Sequence, residues 1–274
     1  MPPTLGIIGC GKLGRSLGRL WTQHAVALVA GVLNRTHASA EDAVAFIGAG
    51  QALAAYDTLP KSDIYLIGTP DDGIAQTCER LAASGLIDKT TIVFHCSGAL
   101  SSGYLQAARA CGAAVASIHP IRSFAHPDTA VQQFKGTYCG VEGDARALDV
   151  LQPLFRAIGA EIVAIDGERK VLYHSAAVVA SNYLVTLLDT ARQLYVAAGV
   201  DPQAALAMLA PLTRGTLENV LQLGPEAALT GPVARGDMET VARQQSALDA
   251  LRPELGDMYR LLAQLTTELA ARGR

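Results

Sequence analysis

The sequence predicts an α/β domain with a doubly wound parallel sheet, followed by an all-α C-terminal domain. Three observations carry this. From Thr4 to about Ile165, short β-rich runs alternate with longer helical patterns, as βαβ units do. A glycine fingerprint, Gly9-Cys10-Gly11-Lys12-Leu13-Gly14, stands directly after the first of those runs. After Asp166-Gly167 the strand-like alternation stops, and alanine and leucine recur at helical spacing through Arg272. The domain boundary is placed at 166, giving domains 1–166 and 167–274.

Leu5–Ile8 is an apolar run of strand length, and a helix over Leu13–His24 follows the glycines. Val26–Leu33 is the second strand and leads to a helix over Ser39–Ile47. Strands at Ile64–Ile67, Thr91–His95 and Ala114–Ile118 repeat the β-branched, apolar character of strands buried on both faces. The helices after the first two of these, Gly73–Ser84 and Ser102–Cys111, close on Gly85 and Gly112, residues suited to a left-handed cap. Thr137–Val141 and Glu161–Ile165 complete the sheet around a helix at Ala145–Ile158. In the second half one helix runs over Glu168–Ala198, stopped by Gly199 and Pro202. Others cover Pro202–Leu209, Thr213–Leu223, Met238–Leu251 and Leu255–Ala271.

The chain has 274 residues, half of them hydrophobic and 17% charged, so it can bury a sizeable core. Its formal net charge is -3 with no run of lysines or arginines, so it lacks the cation source for counterion-release binding, and nucleic acid is not an expected partner. Five cysteines, odd in number and without a C-x-x-C pair, argue against a disulfide framework and against a structural zinc, and fit a reducing cytoplasm. No secretory pattern opens the chain. The most hydrophobic windows, Ala25–Leu33 and Ala176–Leu188, are shorter than the roughly 20 residues of a membrane span. A cytoplasmic protein with no membrane partner is expected.

The fingerprint fits the first turn of a Rossmann-type fold. Gly9 allows the tight turn, Gly11 lets the backbone approach a pyrophosphate, and Gly14 permits close packing of helix on strand. Lys12 and Leu13 open the helix, whose unpaired N–H groups attract the anion. The second strand selects the cofactor. An acid about 20 residues past the glycines would bind the ribose hydroxyls of NAD, but the strand ends Asn34-Arg35-Thr36. A guanidinium with two small polar groups suits a 2′-phosphate, so NADP is expected; the alternative is that Arg35 is a solvated surface arginine.

The fingerprint, the Asn34-Arg35-Thr36 strand end, the Gly68-Thr69-Pro70-Asp71 turn and the all-helical second half resemble the 6-phosphogluconate dehydrogenase-like superfamily, which includes pyrroline-5-carboxylate and ketopantoate reductases. His95-Cys96-Ser97-Gly98, Ser117-Ile118-His119-Pro120 and Leu229-Thr230-Gly231-Pro232-Val233-Ala234-Arg235-Gly236-Asp237 resemble one branch of it, a Rossmann-like domain joined to a helical domain of unknown function. Some members of that branch act as ketopantoate reductases. The resemblance covers the whole chain and implies an NADP-dependent oxidoreductase. The sequence departs from its relatives on the long helix. Many of them carry Lys-x-x-x-Asn there with the lysine as proton donor, whereas the fourth residue after Lys170 is His174 and Asn182 follows twelve residues on.

Ligands of open parallel sheets sit beyond the C-terminal strand ends, which is where Thr69, Pro70, Ser97, Gly98 and His119 fall. Ser97 serves equally as a helix cap, and His119-Pro120 equally as a rigid turn. At 100° per residue Lys170, His174 and Ser181 share one face of the long helix within about 40°, bordered by Asn182. That face is otherwise apolar, so these side chains need a partner or a ligand. Histidine titrates near neutrality, which makes His174 the first candidate for proton donor and His119 the second; a core histidine bonded to a carbonyl is the alternative. Arg235, in a glycine- and proline-shaped loop, could grip a carboxylate or could pair with Asp237 or Glu239.

The reading that results is hydride transfer from NADPH to a small 2-oxo acid such as ketopantoate. His174, Asn182 and His119 are the catalytic candidates, and Ser97, Gly98, Lys170, Ser181 and Arg235 the substrate-binding ones. A homodimer through apolar helical faces is expected. An imine reductase and a non-catalytic NADPH-binding regulator are the alternatives.

Overall fold

The computed structural model describes residues 1–273. By packing, the chain divides into two compact units, residues 1–182 and 183–274. In the first, eight strands form one sheet: β1 (Thr4–Ile8), β2 (Leu28–Leu33), β3 (Gln51–Leu53), β4 (Ile64–Ile67), β5 (Ile92–His95), β6 (Ala114–Pro120), β7 (Tyr138–Gly143) and β8 (Glu161–Ala164). Their order is β3-β2-β1-β4-β5-β6-β7-β8. The chain starts at β1, winds outward through β2 and β3, then returns to β4 on the other side, so the doubly wound expectation holds.

Helices α1 (Lys12–Gln23), α2 (His37–Ile47), α3 (Ile74–Ala83), α4 (Gln106–Ala110), α5 (Pro127–Gln132), α6 (Ala145–Ala157) and α7 (Lys170–Val178) belong to the same unit. Successive side chains on a strand face opposite sides. On β5, Ile92 and Phe94 join the core under α1, α2 and α6, while Val93 joins the core under α3 and α4. The first core centres on Trp21, Phe94 and Phe155, whose rings meet edge to face at 5.3–6.3 Å.

Two strands differ from the expected pattern. β3 was not expected, because three residues at the sheet edge carry too short a run to register as β. β7 runs antiparallel to β6, with His119 opposite Gly140, whereas every other neighbouring pair is parallel. The link from Ile121 to Thr137 explains this. Its one helix, α5, has only six residues, so the link lacks a long crossover helix such as α1 and α3 supply in the βαβ units before it.

The second unit is helical: α8 (Leu184–Ala197), α9 (Pro202–Leu223), α10 (Pro225–Ala228), α11 (Pro232–Arg235), α12 (Met238–Leu251) and α13 (Pro253–Arg272). α9 is one helix where the sequence predicts two. It continues through Pro211, which forfeits a backbone hydrogen bond but does not end the helix, because apolar residues keep helical spacing on both sides.

Helical residues run without a break from Gly167 to Ala197, and Val179–Tyr183 within that stretch is a π turn. The stretch corrects the expectation that no apolar segment reaches spanning length. It is 31 residues long with a window of mean hydropathy 1.4, long and apolar enough by length and composition to cross a membrane. The sequence window stopped at Leu188 because polar residues dilute the stretch, while the helix itself extends through them.

Candidate active site

The fingerprint loop has the geometry that its glycines suggest. Gly9 lies at φ +80°, and a Cβ there would meet the backbone and side chain of Thr69 at 2.7 Å. A Cβ on Gly14 would press on Cys10 Sγ at 3.3 Å, which is the close helix-on-strand packing expected of it. Gly11 has open space around it and caps α1 with no side-chain hydrogen bond, and no acid stands in the first turn, where Lys12 and Leu13 lie. The helix N-terminus therefore offers unsatisfied N–H groups. They face an open groove of about 960 Å³ lined in part by Lys12, Arg15, Arg35, Thr69 and Gln76. Thr69 Oγ1 is buried without a partner. An uncapped helix start, an orphaned hydroxyl and a glycine cradle fit a dinucleotide pyrophosphate.

The strand end after β2 is used differently from the sequence reading. Asn34 Oδ1 accepts from the Cys10 N–H at 2.6 Å, and its Nδ2 donates to the carbonyl and hydroxyl of Ser39 at 2.9 and 3.1 Å. Its amide is committed to tying the fingerprint loop to α2, which corrects its expected role as a phosphate ligand. Thr36 caps α2, accepting from Ser39 N at 3.3 Å. Arg35 is exposed on the groove rim. Arg15, which the sequence reading passed over, brings a second guanidinium to the groove; its position one turn past Gly11 was the available signal.

Beyond the ends of β5 and β6 lies a second cluster. Ser97 Oγ donates to Asp71 Oδ2 at 2.9 Å and accepts from the N–H groups of Ala99 and Leu100. Its hydroxyl shapes its own loop, so the capping alternative describes it better than substrate binding. Asp71 follows the groove-lining Pro70, so this bond joins the groove wall to the 97–102 loop.

That loop is held from below by Lys170, which is 1% exposed. Its Nζ donates to the carbonyls of Ser97 and Leu100 at 2.6 and 2.5 Å and to Ser117 Oγ, and stands 4.0 Å from Glu142. Glu142 in turn accepts from the N–H and hydroxyl of Ser102, both at 2.7 Å. An ammonium has three protons, and all three are engaged. This corrects the expectation that Lys170 grips substrate: no donor is left over. Burial pushes its pKa down to about 8, with Glu142 opposing the shift. Sequence reasoning misses Glu142 and Ser117; a carboxylate next to the apolar Cys139–Val141 run is the available signal for the former.

Above the loop two histidines meet. A Cβ on Gly98 would collide with Nδ1 of His174 and lie 2.9 Å from Nε2 of His119. The two rings are edge to face at 5.5 Å. His119 Nδ1 is 3.0 Å from the hydroxyl of Tyr173, another residue that sequence reasoning missed. Burial first, then His174 and Lys170, push His119 down to about 4. His95, beneath them and fully buried, accepts from Ser97 N–H through Nδ1 and so donates through Nε2 to the Ser101 carbonyl, each at 3.1 Å. Burial first, then Lys170, lower it to about 4.

Ser181 and Asn182 lie in the π turn and are exposed. A π turn holds more residues than an α turn, so the phase of the helix lags by roughly one residue beyond it. The single face drawn through Lys170, His174 and Ser181 assumed an unbroken α-helix, and the π turn breaks that phase from Val179 on. Arg235 lies in the other unit, exposed at the end of α11. Among the described residues it forms no ion pair with Asp237, whose carboxylate caps α12 through Thr240 N–H at 3.1 Å.

Residues 3–120 match the family model of a Rossmann-like domain, and residues 137–266 match that of a domain of unknown function, DUF2520. The chain thus carries a Rossmann-like domain followed by a DUF2520 domain. No curated protein matches it. Among solved structures it is similar to protein TM1727 from Thermotoga maritima, at 27% identity and a TM-score of 0.78 over 98% of each chain. It is also similar to the Plasmodium falciparum pyrroline carboxylate reductase with NADP bound, at 11% identity and a TM-score of 0.58 over 98% of each chain. A third is a variant of the imine reductase from Myxococcus stipitatus in complex with NAD+, at 17% identity and a TM-score of 0.61 over 99% of this chain and 94% of that one. At such identities the last two share the fold.

The buried state of His95 has a pH consequence. Below the ordinary histidine value of about 6.5 the unfolded chain binds a proton that the folded chain refuses until about pH 4, so stability falls across that window as pH falls. The loss should reach about 3 kcal/mol by pH 4. Urea unfolding of the native protein and of His95→Gln at pH 7 and pH 4.5 checks this. The variant should lose markedly less stability between the two pH values, and equal losses would contradict the assignment.

Proposed function

We propose that this protein is an NADPH-dependent oxidoreductase that reduces the carbonyl of a small 2-oxo acid. The observation that carries the reading is an uncapped, cation-flanked dinucleotide groove linked through Asp71 and Ser97 to a loop lying under two imidazoles. Gly9, Gly11 and the start of α1 would hold the pyrophosphate, and Arg35 with Arg15 the 2′-phosphate. The reduced nicotinamide supplies a hydride when bound. His174 supplies the proton: as the carbonyl carbon gains the hydride and its π bond breaks, the oxygen takes the proton from the imidazole. The Ser97–Asp71 bond and the Lys170 lattice keep the loop at the foot of that imidazole. Ketopantoate is the substrate suggested by the sequence resemblance. Reduction of a cyclic imine is the second reading, supported by the pyrroline carboxylate reductase and imine reductase among the structural relatives. We also propose that a second copy of the chain covers the apolar helix, where Val171, Leu172 and Val185 are more than half exposed. Sedimentation velocity showing only monomers would reject that dimer.

A spectrophotometric screen of NADPH and NADH oxidation against 2-oxo acids and cyclic imines tests the function. Turnover of a 2-oxo acid is expected, and His174→Ala should lower it by about 10²- to 10⁴-fold while sparing NADPH binding. Arg35→Ala should weaken NADPH by more than about tenfold and leave NADH nearly unchanged. Turnover of imines alone favours the second reading. NADPH binding without turnover of anything makes the protein a nucleotide-binding regulator and rejects both.

A further inference from the structure

The His174 ring poses a question that the proposed reaction does not answer. Its Nδ1 is buried and unpaired among the described residues, so Nε2 is the nitrogen left to meet a substrate. A proton donor must carry its proton on the accessible nitrogen, and an imidazole left to itself divides its proton between the two. Something has to assign it.

The nearest group able to do so is His119, whose Nε2 converges with His174 Nδ1 over the α-carbon of Gly98. Whether His119 can serve depends on its own tautomer, and Tyr173 decides that. The phenol is 3.0 Å from His119 Nδ1, with the two rings edge to face at 5.6 Å. Of the two groups the phenol is much the stronger acid, so its O–H donates and Nδ1 accepts, leaving the His119 proton on Nε2. Burial supports this by raising the Tyr173 hydroxyl to about 12, so that it keeps its proton.

Two glycines make the arrangement sterically feasible. A side chain on Gly140, directly across the β6–β7 pair from His119, would collide with the Tyr173 hydroxyl, and a side chain on Gly98 would drive the two imidazoles apart.

We infer that Tyr173 and His119 are positioning residues for His174. The phenol holds His119 as the Nε2–H tautomer, and that N–H serves Nδ1 of His174 when the rings close over Gly98. The His174 proton then stands on Nε2, and as Nε2 gives it up Nδ1 takes the His119 Nε2 proton while His119 Nδ1 takes the phenol proton, so the ring never becomes an imidazolate and Tyr173 is recharged from solvent. The inference rests on the reading of His174 as proton donor and names the groups that make it one.

Nitrogen chemical shifts of the histidine rings in ¹⁵N-labelled full-length protein at neutral pH test it. The native protein should show His119 and His174 each protonated on Nε2 and unprotonated on Nδ1. Tyr173→Phe, which keeps the aromatic packing, should shift His119 to a mixture of tautomers and draw His174 after it. On the substrate found by the screen, the same variant should lower kcat about tenfold or more with the KM for NADPH unchanged. A proton on Nδ1 of either ring in the native protein overturns the inference, as does a Tyr173→Phe protein with native tautomers or native kcat. The tautomer reading needs no substrate and no variant, so a protein without detectable reductase activity fails the functional proposal while this arm is still decided.

Discussion

A single buried ammonium organises the polar half of this molecule. Lys170 sits 1% exposed at the start of α7 and reaches the carbonyls of Ser97 and Leu100 and the hydroxyl of Ser117. A lysine taken so far out of water is tolerated only where every proton finds an acceptor and an opposite charge stands nearby, which Glu142 provides at 4.0 Å. The consequence is mechanical. The loop after β5, the middle of β6 through Ser117, the end of β7 through Glu142 and the first turn of α7 are all referred to one atom. Gly98 is fixed beneath His119 and His174 because its two flanking segments are both held.

The same charge shapes the electrostatics around it. Lys170 contributes to the depression of both His95 and His119, so the histidines nearest to it are neutral hydrogen-bonding rings at physiological pH. His95 then links Ser97 to Ser101 within the loop. The lysine thus supports the loop with all three of its protons engaged inside the protein, and in the proposed reaction the proton comes from an imidazole one turn further along the helix.

Much of this architecture was legible in the sequence. The glycine fingerprint after an apolar run, the recurrence of short β-branched runs and the change to helical spacing after residue 166 are local patterns, and local patterns survive without coordinates. What escaped was non-local. Asn34 was read as a free polar group at a strand end, but its amide bridges Cys10 and Ser39, a contact formed only when β1 and β2 are paired. The donors of Lys170 were assigned to a substrate because its acceptors lie about 50 to 70 residues away in sequence. Tyr173 went unnoticed beside His174, since only the antiparallel register that sets His119 opposite Gly140 brings the phenol to His119. The π turn is a further case: its effect on helical phase cannot be seen in the letters Val179-Ala180-Ser181-Asn182-Tyr183.

The central claim, that one buried lysine holds the loop under the two imidazoles, is most directly tested by amide hydrogen exchange on the native protein and Lys170→Met. The account predicts that exchange quickens in residues 97–102 and around Ser117 and Glu142 in β6 and β7, while the β1–β2 half of the sheet with its fingerprint loop keeps native protection. Unchanged protection of residues 97–102 in a folded Lys170→Met protein would contradict it.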